Sequence, residues 1–174
     1  MLGGADTWAT SQTLAAAIRN LEYDLIITGR QAIDGDTAQV GPQISEHLGI
    51  PVISYAQNLK IEGDSVIVER QYEDRYHELK AKMPCLITAL SELNEPRYMN
   101  CNDIVDSFSK EVNVMTFDDL GIDESIVGLA GSPTKVHATF TKEVSAETET
   151  FDLPAAEAAK LIAKTLKDKQ IITK

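Results

Sequence analysis

The first fifty residues alternate between helical and strand-like patterns of apolar residues. Residues 7–20 carry an apolar stripe at helical spacing, and Asp6 is suited to cap that helix. A short apolar run at 25–28 predicts a buried strand, and an amphipathic segment at 44–48 predicts a second helix that ends at Gly49. This succession is typical of a layered α/β fold. The stripe of the first helix consists of Leu14, Ala17, Ile18 and Leu21.

The next forty residues follow the period of two that is typical of β-strands. Residues 52–59, 65–71 and 77–83 alternate between apolar and polar side chains, with a hairpin turn at Glu62-Gly63-Asp64. Residues 84–90 are largely apolar and predict a buried strand. We therefore expect a parallel α/β sheet that is extended by an antiparallel portion.

The pattern changes at residue 110. Residues 112–116 and 135–141 alternate like short strands, whereas residues 117–132 lack a period and predict an extended arm. A polar linker follows at 143–150, and an amphipathic helix is predicted at 155–166. The apolar stripe of this last helix consists of Ala158, Leu161, Ile162 and Leu166.

These patterns divide the chain into an α/β domain at residues 1–110 and an arm with a helix at residues 111–174. A single amphipathic helix on a polar tether has nothing local against which it can bury its apolar face. We therefore expect the helix to dock on a partner or on a distant face of the molecule.

Composition and charge narrow the classes of function. Apolar residues make up 43% and charged residues 25% of the chain, and no apolar run is long enough to span a membrane. The net charge of −11 argues against nucleic acid as a partner, because such binding depends on cationic contacts. Cys85 and Cys101 are too few for a disulfide framework or a zinc site, and no signal peptide is visible, so we expect a cytoplasmic protein without a metal. The three histidines have no catalytic spacing, and we interpret them as structural.

The strand at 25–28 leads into a glycine-punctuated loop and then into a helix N-terminus. This geometry presents free backbone N–H groups and the positive end of a helix dipole, which suits a phosphate. Asp34 and Asp36 must then point away, cap the helix or bond a ribose. No lysine follows the glycines and G-x-G-x-x-G is absent, so neither a P-loop nor a dinucleotide fingerprint is present, and a plain βα turn is the alternative. The loop residues are Gly29, Arg30, Gln31, Ala32, Ile33, Asp34, Gly35, Asp36, Thr37, Ala38, Gln39 and Val40.

Two further polar clusters stand out. Thr7 and Thr10 share one face at the start of the first helix, for which a capped helix start is the simpler interpretation. The second cluster is a turn in which proline keeps the preceding glutamate extended, and a loop with a paired arginine is its default interpretation. Asn102 or Asp103 is expected to cap a short helix that follows this turn in the chain. The turn consists of Asn94, Glu95, Pro96, Arg97 and Tyr98.

Together these motifs resemble the β subunit of electron transfer flavoproteins, over roughly its C-terminal two thirds. Residues 4–18, 29–49, 69–88 and 93–98 carry the match, and the second and fourth of these stretches are specific. The resemblance implies a Rossmann-like three-layer domain of the adenine nucleotide α-hydrolase type, N-terminally truncated, with a C-terminal arm and helix that embrace a larger subunit. It also implies that the loop wraps an adenine nucleotide, and that the strand at 25–28 exposes an edge for another chain to pair with.

The resemblance leaves three functions open. Residues 6–11 and the loop look like the subgroup that carries FAD in the β subunit. That reading implies an electron carrier that pairs with an α subunit and passes electrons from NADH to the partner's flavin and to ferredoxin or flavodoxin, which is electron bifurcation. The alternative is an AMP-binding structural subunit of a one-FAD flavoprotein that serves acyl-CoA dehydrogenases. The third is a nucleotide-sensing module of the universal-stress type. Any oxidation of NADH would belong to the complex, and no residue of this chain is expected to be catalytic.

The resemblance also implies residue roles. Asp6, Thr7, Thr10 and residues 29–40 are expected to bind the cofactor, FAD or alternatively AMP, while residues 94–98 and Cys101 are expected to dock the redox partner. The chain departs from the family pattern in three places, which leaves the choice of redox partner open. The departures are Glu73-Asp74-Arg75 in place of an acidic-Gly-Gly turn, His77 in place of an acid or amide, and Cys101 with residues 106–110 in place of an apolar anchor and a lysine run.

Overall fold

The computed structural model describes residues 3–141 and 148–172. The chain forms two compact units, Met1–Val136 and His137–Lys174. The first unit therefore continues past residue 110, where the sequence pattern changes. Most of the polar linker predicted at 143–150 lies outside the described residues.

The predicted helices at 7–20, 44–48 and 155–166 are confirmed, as are the predicted strands between residues 25 and 90. Among the described helices, none is both long and apolar enough to cross a membrane. The helices and strands are α1 Thr7–Ile18, β1 Leu25–Gly29, α2 Val40–Leu48, β2 Val52–Glu62, β3 Ser65–Gln71, β4 Tyr76–Lys82, β5 Cys85–Ala89, α3 Cys101–Ser107 and α4 Ala155–Asp168.

The five strands form one mixed sheet in the order β1-β5-β2-β3-β4. Strand β5 pairs in parallel with β1 on one side and with β2 on the other, whereas β2–β3 and β3–β4 pair in antiparallel fashion. This arrangement confirms the predicted α/β fold, with a parallel sheet extended by an antiparallel portion. The hairpin turn between β2 and β3 is also where the sequence puts it, with Gly63 at a φ of 60°.

Strand β5 forms the centre of the core because both of its faces are covered. Cys85 and Ile87 belong to a buried cluster with residues of β2 and β3. Leu86 and Thr88, which point the other way, lie under the start of α2. A central strand of this kind reads as a continuous apolar run, which is the pattern that predicts it.

Strand β1 is less buried than its sequence predicts. It lies at one edge of the sheet and pairs only with β5 within the part of the chain that the structure describes. Ile27 is 55% exposed as a consequence, so the prediction of a fully buried strand is wrong here. At the other edge, β4 carries the charged residues Glu78, Lys80 and Lys82, which discourage pairing with another sheet.

Helix α1 packs on α2 through small residues, and not through the predicted apolar stripe. Its buried residues are Ala9, Ser11, Ala15 and Ala16, whereas Leu14 and Leu21 of the predicted stripe are exposed. Small side chains let two helices approach closely, because the distance between helix axes depends on the side chains at the contact. The periodicity therefore predicts the helix correctly but the wrong face.

The segment after residue 110 contains neither of the two short strands predicted at 112–116 and 135–141. Residues 117–132 are also not a free extended arm, since they form two 3₁₀ turns and bury Val127 and Ser132. The Nδ2 of Asn20, just after α1, donates to the Asp119 carbonyl at 3.2 Å. This segment is therefore part of the first unit.

Asp6 connects residues 132–134 to the start of α1 through hydrogen bonds. Its Oδ1 caps the helix by accepting from the Ala9 N–H at 3.0 Å, while its Oδ2 accepts from the backbone N–H and the hydroxyl of Thr134 at 2.9 and 2.8 Å. Its own N–H donates to the Ser132 Oγ at 2.8 Å. Partial burial raises the pKa of Asp6, but the hydrogen bonds from Ala9 and Thr134 outweigh it, so the pKa lies below its ordinary value.

The last two helices differ from their predictions in detail. Asn100 caps α3 by accepting from the Asp103 N–H at 2.9 Å, so the predicted caps Asn102 and Asp103 are wrong by a few residues. In the second unit, α4 has no buried residue. Among the described residues of this unit, its apolar stripe is at most partly buried, at Ala158, Leu161 and Leu166.

Replacing Gly41 by alanine is expected to destabilise the protein by about 1–3 kcal/mol, because overpacking forces neighbouring atoms to shift. A Cβ at this position would lie 2.7 Å from Thr28 Oγ1 and 2.8 Å from Thr88 Cγ2. Chemical denaturation measures the loss. The matched control is Gly35→Ala, where an added Cβ meets nothing within 4 Å and the change is expected to stay within about 0.5 kcal/mol. Equal losses in the two variants would contradict this account.

Replacing Asp6 by asparagine is expected to cost about 1–3 kcal/mol at neutral pH, because asparagine keeps one oxygen for the cap but puts an NH₂ group where the second oxygen accepts from Thr134. Because the folded pKa lies below the unfolded value of about 3.9, this stabilisation is present above that value. It is lost as the pH falls through the folded pKa. Denaturation curves between pH 2 and 7 should therefore show wild type and variant converging in acid. Asp123→Asn, which keeps an oxygen to accept from the Ser125 N–H, should cost less. A difference between wild type and the Asp6 variant that persists in acid would argue against a role for the carboxylate charge.

Candidate functional site

The loop at residues 30–39 lies at the carboxyl end of the parallel strands. It leaves β1 directly, and the Arg30 N–H donates to the carbonyl of Ala89 at the end of β5 at 3.1 Å. Ile33, Asp34 and Gly35 at its tip are exposed. In open α/β sheets, ligands bind in the crevice outside the carboxyl ends of the strands. The predicted loop residues therefore lie where such a fold binds ligands.

The loop holds two non-glycine residues in the left-handed region, Asp36 at a φ of 51° and Ala38 at 53°. Aspartate tolerates this conformation, whereas for alanine it costs free energy. The Asp36 N–H donates to the Ala32 carbonyl at 3.0 Å, and its carboxylate accepts from the Gln31 side chain. This bond occupies one oxygen of the Asp36 carboxylate. Strain of this kind is concentrated at functional sites in proteins.

Helix α2 begins without a side-chain cap. Its N-cap is Gln39, which makes no side-chain capping hydrogen bond, and its first turn has no acidic residue. The first N–H groups of a helix have no acceptor inside the helix, so those of Val40 and Gly41 are available to a ligand. Pro42 has no N–H and fits this first turn. The structure starts this helix at Val40, four residues before the amphipathic segment at 44–48 that predicts it.

The start of α2 is pressed onto the ends of β1 and β5. The close approach at Gly41 brings the helix against Thr28 and Thr88, which face each other in register on the two strands. The Thr28 hydroxyl oxygen is buried and has no hydrogen-bond partner among the described residues. Such orphaned groups are rare in native structures and call for a partner. An uncapped helix start of this kind can hold an anion such as phosphate through its free N–H groups.

The start of α1 lies beside the start of α2. The Thr7 hydroxyl donates to the Gln39 Oε1 at 2.9 Å. This hydrogen bond connects the first turn of α1 to the loop. Thr10 is partly buried on the same face of the helix. Asp6 uses both carboxylate oxygens within the protein, and its cofactor role stays a prediction.

Trp8 of α1 and His47 of α2 are in contact. Their rings meet edge to face at a centroid distance of 4.8 Å, and a ring nitrogen of His47 lies 3.1 Å from the Ser11 Oγ. Burial lowers the pKa of His47, and the nearby Arg19 lowers it further. This environment supports the interpretation of His47 as a structural residue.

The residues predicted to dock a partner lie on the surface. All residues of the turn at 94–98 are exposed, and Tyr98 is fully exposed. Leu93, just before the turn, is partly buried. Arg97 makes no ion pair with the residues that the structure describes, contrary to the default expectation of a paired arginine. Cys101 is an exposed free thiol in the first turn of α3.

The sequence did not predict one group of residues that lies beside the loop. Tyr55, Arg70 and Tyr72 line a cavity of about 650 Å³ that Arg30 and Gln31 also line. The signal for this group is a break in the alternation of β3, where Arg70 follows Val66 and Val68 on the face that packs in the core.

Comparisons with known proteins agree with this geometry. The family model described as "Electron transfer flavoprotein domain" matches residues 1–120. The chain is 49% identical over 170 residues to "Electron transfer flavoprotein subunit beta" of Clostridium acetobutylicum, and 44% identical over 172 residues to "Caffeyl-CoA reductase-Etf complex subunit CarD" of Acetobacterium woodii, with 98% of this chain covered in each case. It is 46% identical over 147 residues, 80% of the chain, to "Acryloyl-CoA reductase electron transfer subunit gamma" of Anaerotignum propionicum.

The chain spans 66% of the length of the first two relatives and 55% of the third. The family match extends over α1, the whole sheet, the loop and α3, so it includes every element that builds the candidate site. The chain therefore belongs to the electron transfer flavoprotein family, and its relatives include β subunits of that family.

Proposed function

We propose that this chain carries FAD at the loop of residues 29–40, as the β subunit of a bifurcating electron transfer flavoprotein. The observation that carries the proposal is the uncapped start of α2, which packs closely on the ends of β1 and β5. A negatively charged phosphate is stabilised at such a terminus by the free N–H groups and the helix dipole.

The loop backbone is the proposed phosphate cradle, from Gly35 to Val40. Gly35 needs neither a positive φ nor space for a packed neighbour, since an added Cβ would meet nothing within 4 Å. Glycine there is accounted for by close approach of a ligand to the backbone. The left-handed Ala38 is accounted for in the same way, because strain persists where the surroundings or a function hold it.

Thr7 and Thr10 are the proposed partners of the isoalloxazine ring. A buried ring must satisfy its polar edge, since each unpaired polar group costs roughly 1–3 kcal/mol. The Thr7 hydroxyl already donates to Gln39, which leaves its oxygen to accept, while the Thr10 hydroxyl is able to donate. The N-terminal dipole of α1 would favour negative charge on the ring by about 0.3–1 kcal/mol. When bound, the flavin supplies the redox chemistry.

The proposed electron donor is NADH, and the proposed acceptors are the flavin of an α subunit and ferredoxin or flavodoxin. The names of the relatives from Acetobacterium woodii and Anaerotignum propionicum place those proteins in reductase complexes. By analogy with them, this chain would serve a redox partner of the acyl-CoA dehydrogenase type. The proposed docking surface comprises residues 94–98 and Cys101, where the fully exposed Tyr98 offers an aromatic anchor.

Extraction of nucleotides from the purified native complex tests which cofactor the loop holds. We expect two FAD molecules per heterodimer, because the proposal puts one in each subunit. One FAD with one AMP would contradict the proposal and favour the AMP-binding structural subunit. Absence of both FAD and AMP would leave only the nucleotide-sensing module.

Thr10→Val in the native complex is expected to weaken flavin binding at the β site about tenfold or more, since one lost hydrogen bond of about 1.4 kcal/mol corresponds to that factor. The readouts are flavin content, reduction potential and the rate of reduction by NADH. Thr7→Val should act in the same direction but also breaks the contact with Gln39. The matched control is Thr13→Val, whose hydroxyl bonds the Ala9 carbonyl within the helix. If Thr10→Val behaves like this control in all three readouts, the threonine assignment is wrong.

A further inference from the structure

Arg70 occupies a position that a charged residue rarely takes. It lies near the end of β3 on the same face as Val66 and Val68, which are fully buried in the core. Its Nε is buried and has no hydrogen-bond partner among the described residues. A buried donor without a partner costs free energy, so each such group in a native structure calls for an explanation.

Two tyrosines hold the Arg70 guanidinium in place. Its central carbon lies 4.9 Å from the ring centroid of Tyr72 and 5.6 Å from that of Tyr55. Both contacts are within the range of cation–π interactions. Contacts with aromatic faces orient the guanidinium but use none of its N–H donors in hydrogen bonds to oxygen, so its planar fork stays available.

The backbone of Tyr55 is strained in order to reach this position. Tyr55 has a φ of 61°, which is a genuine outlier for a bulky residue. It lies in an irregularity of β2, where the register to β5 shifts between Ile53 and Ala56. The Tyr55 N–H donates to the Thr88 Oγ1 at 3.0 Å, which fixes the distortion to the central strand. Such bulges lie next to active sites in many proteins, where they re-aim a side chain.

The cavity beside these residues has a surplus of positive charge. Its lining includes Arg30 and Arg70 and one carboxylate, Glu73. Neither arginine forms an ion pair within the part of the chain that the structure describes. Arg30 and Arg70 therefore bring positive charge to this cavity in a chain whose net charge is −11. The neighbouring cavity, of about 440 Å³, includes Asp36 and Glu92 in its lining and has no such surplus.

We infer that the cavity formed by Arg70, Tyr55, Tyr72 and Arg30 binds a small phosphate-bearing molecule, with Arg70 as its anchor. Arginine is the residue that matches the geometry of phosphate oxygens with two parallel N–H donors. The volume of about 650 Å³ is that of a small-molecule site. The acidic chain as a whole disfavours an acidic protein surface as the occupant. Arg30 and Gln31 also belong to the loop of the proposed flavin site, so the cavity adjoins that site. Arg70, Tyr55 and Tyr72 lie outside the loop, and the inference rests on them.

The test is a binding titration of the purified native complex, with its nucleotides retained, using inorganic phosphate and AMP as the probes. We expect saturable binding of both probes if phosphate alone is recognised, and tighter binding of AMP if the site takes a nucleotide. Arg70→Gln should weaken the preferred probe at least tenfold. The matched control is Arg75→Gln, which removes the same charge from an exposed arginine paired with Asp74, and it should leave the affinity unchanged.

Three results would overturn the inference. The first is the absence of saturable binding to the wild-type complex, which would favour an acidic side chain of another subunit as the occupant. The second is equal weakening by Arg70→Gln and Arg75→Gln, which would mean a general effect of charge. The third is loss of flavin from Arg70→Gln, which would assign Arg70 to the flavin site. If Arg70→Gln does not fold, Arg70→Lys decides, because lysine keeps the charge but lacks the planar fork. It should also weaken binding, and wild-type affinity would count against the inference.

Discussion

The close contact between the start of α2 and the ends of β1 and β5 is the constraint on which the candidate site depends. It exists because residue 41 is glycine, since any Cβ there would collide with Thr28 and Thr88. Because the helix lies this close to the strand ends, its free N–H groups lie at the carboxyl edge of the parallel strands. The loop before it must then cover a short distance in many residues, and it does so through the left-handed Asp36 and Ala38. The missing side chain at residue 41 thus allows the close packing of the start of α2 on the two strands.

A second set of contacts connects the site to a part of the chain that is distant in sequence. Asp6 caps α1 with one carboxylate oxygen and accepts hydrogen bonds from Thr134 with the other. These bonds connect Thr134 to the first turn of α1, which contains Thr7. Thr7 in turn bonds Gln39 at the start of α2. A change of conformation at residues 132–134 is therefore coupled to the loop by a chain of hydrogen bonds. This is a structural reason for residues 117–136 to belong to the first unit.

The sequence predicts the elements of this fold well and their surroundings less well. Periodicity finds α1, yet the face it buries is the alanine face, because close helix packing favours small side chains over leucines. The apolar run of β1 predicts burial, but burial also depends on what covers a strand, and β1 lies at an edge. Residues 112–116 alternate like a strand without a neighbour to pair with, and alternation alone does not supply one. The loop and the start of α2 were predicted because strand, glycine-rich loop and helix are adjacent in sequence. Arg70 and Tyr55 were missed because only the folded sheet brings them to the loop.

Thr88 shows how the two sides of the loop are linked through the central strand. Its methyl group lies where α2 approaches most closely, and its hydroxyl accepts from the backbone of the strained Tyr55. The same side chain therefore supports the helix start on one side and the distorted turn of β2 on the other. A valine would fill the same volume but would leave the Tyr55 N–H without its acceptor, and a serine would keep the hydroxyl but lose the methyl contact. Threonine meets both requirements at once. The position of the start of α2 and that of the cavity beside Arg70 are thus coupled through a single buried residue at the centre of the sheet.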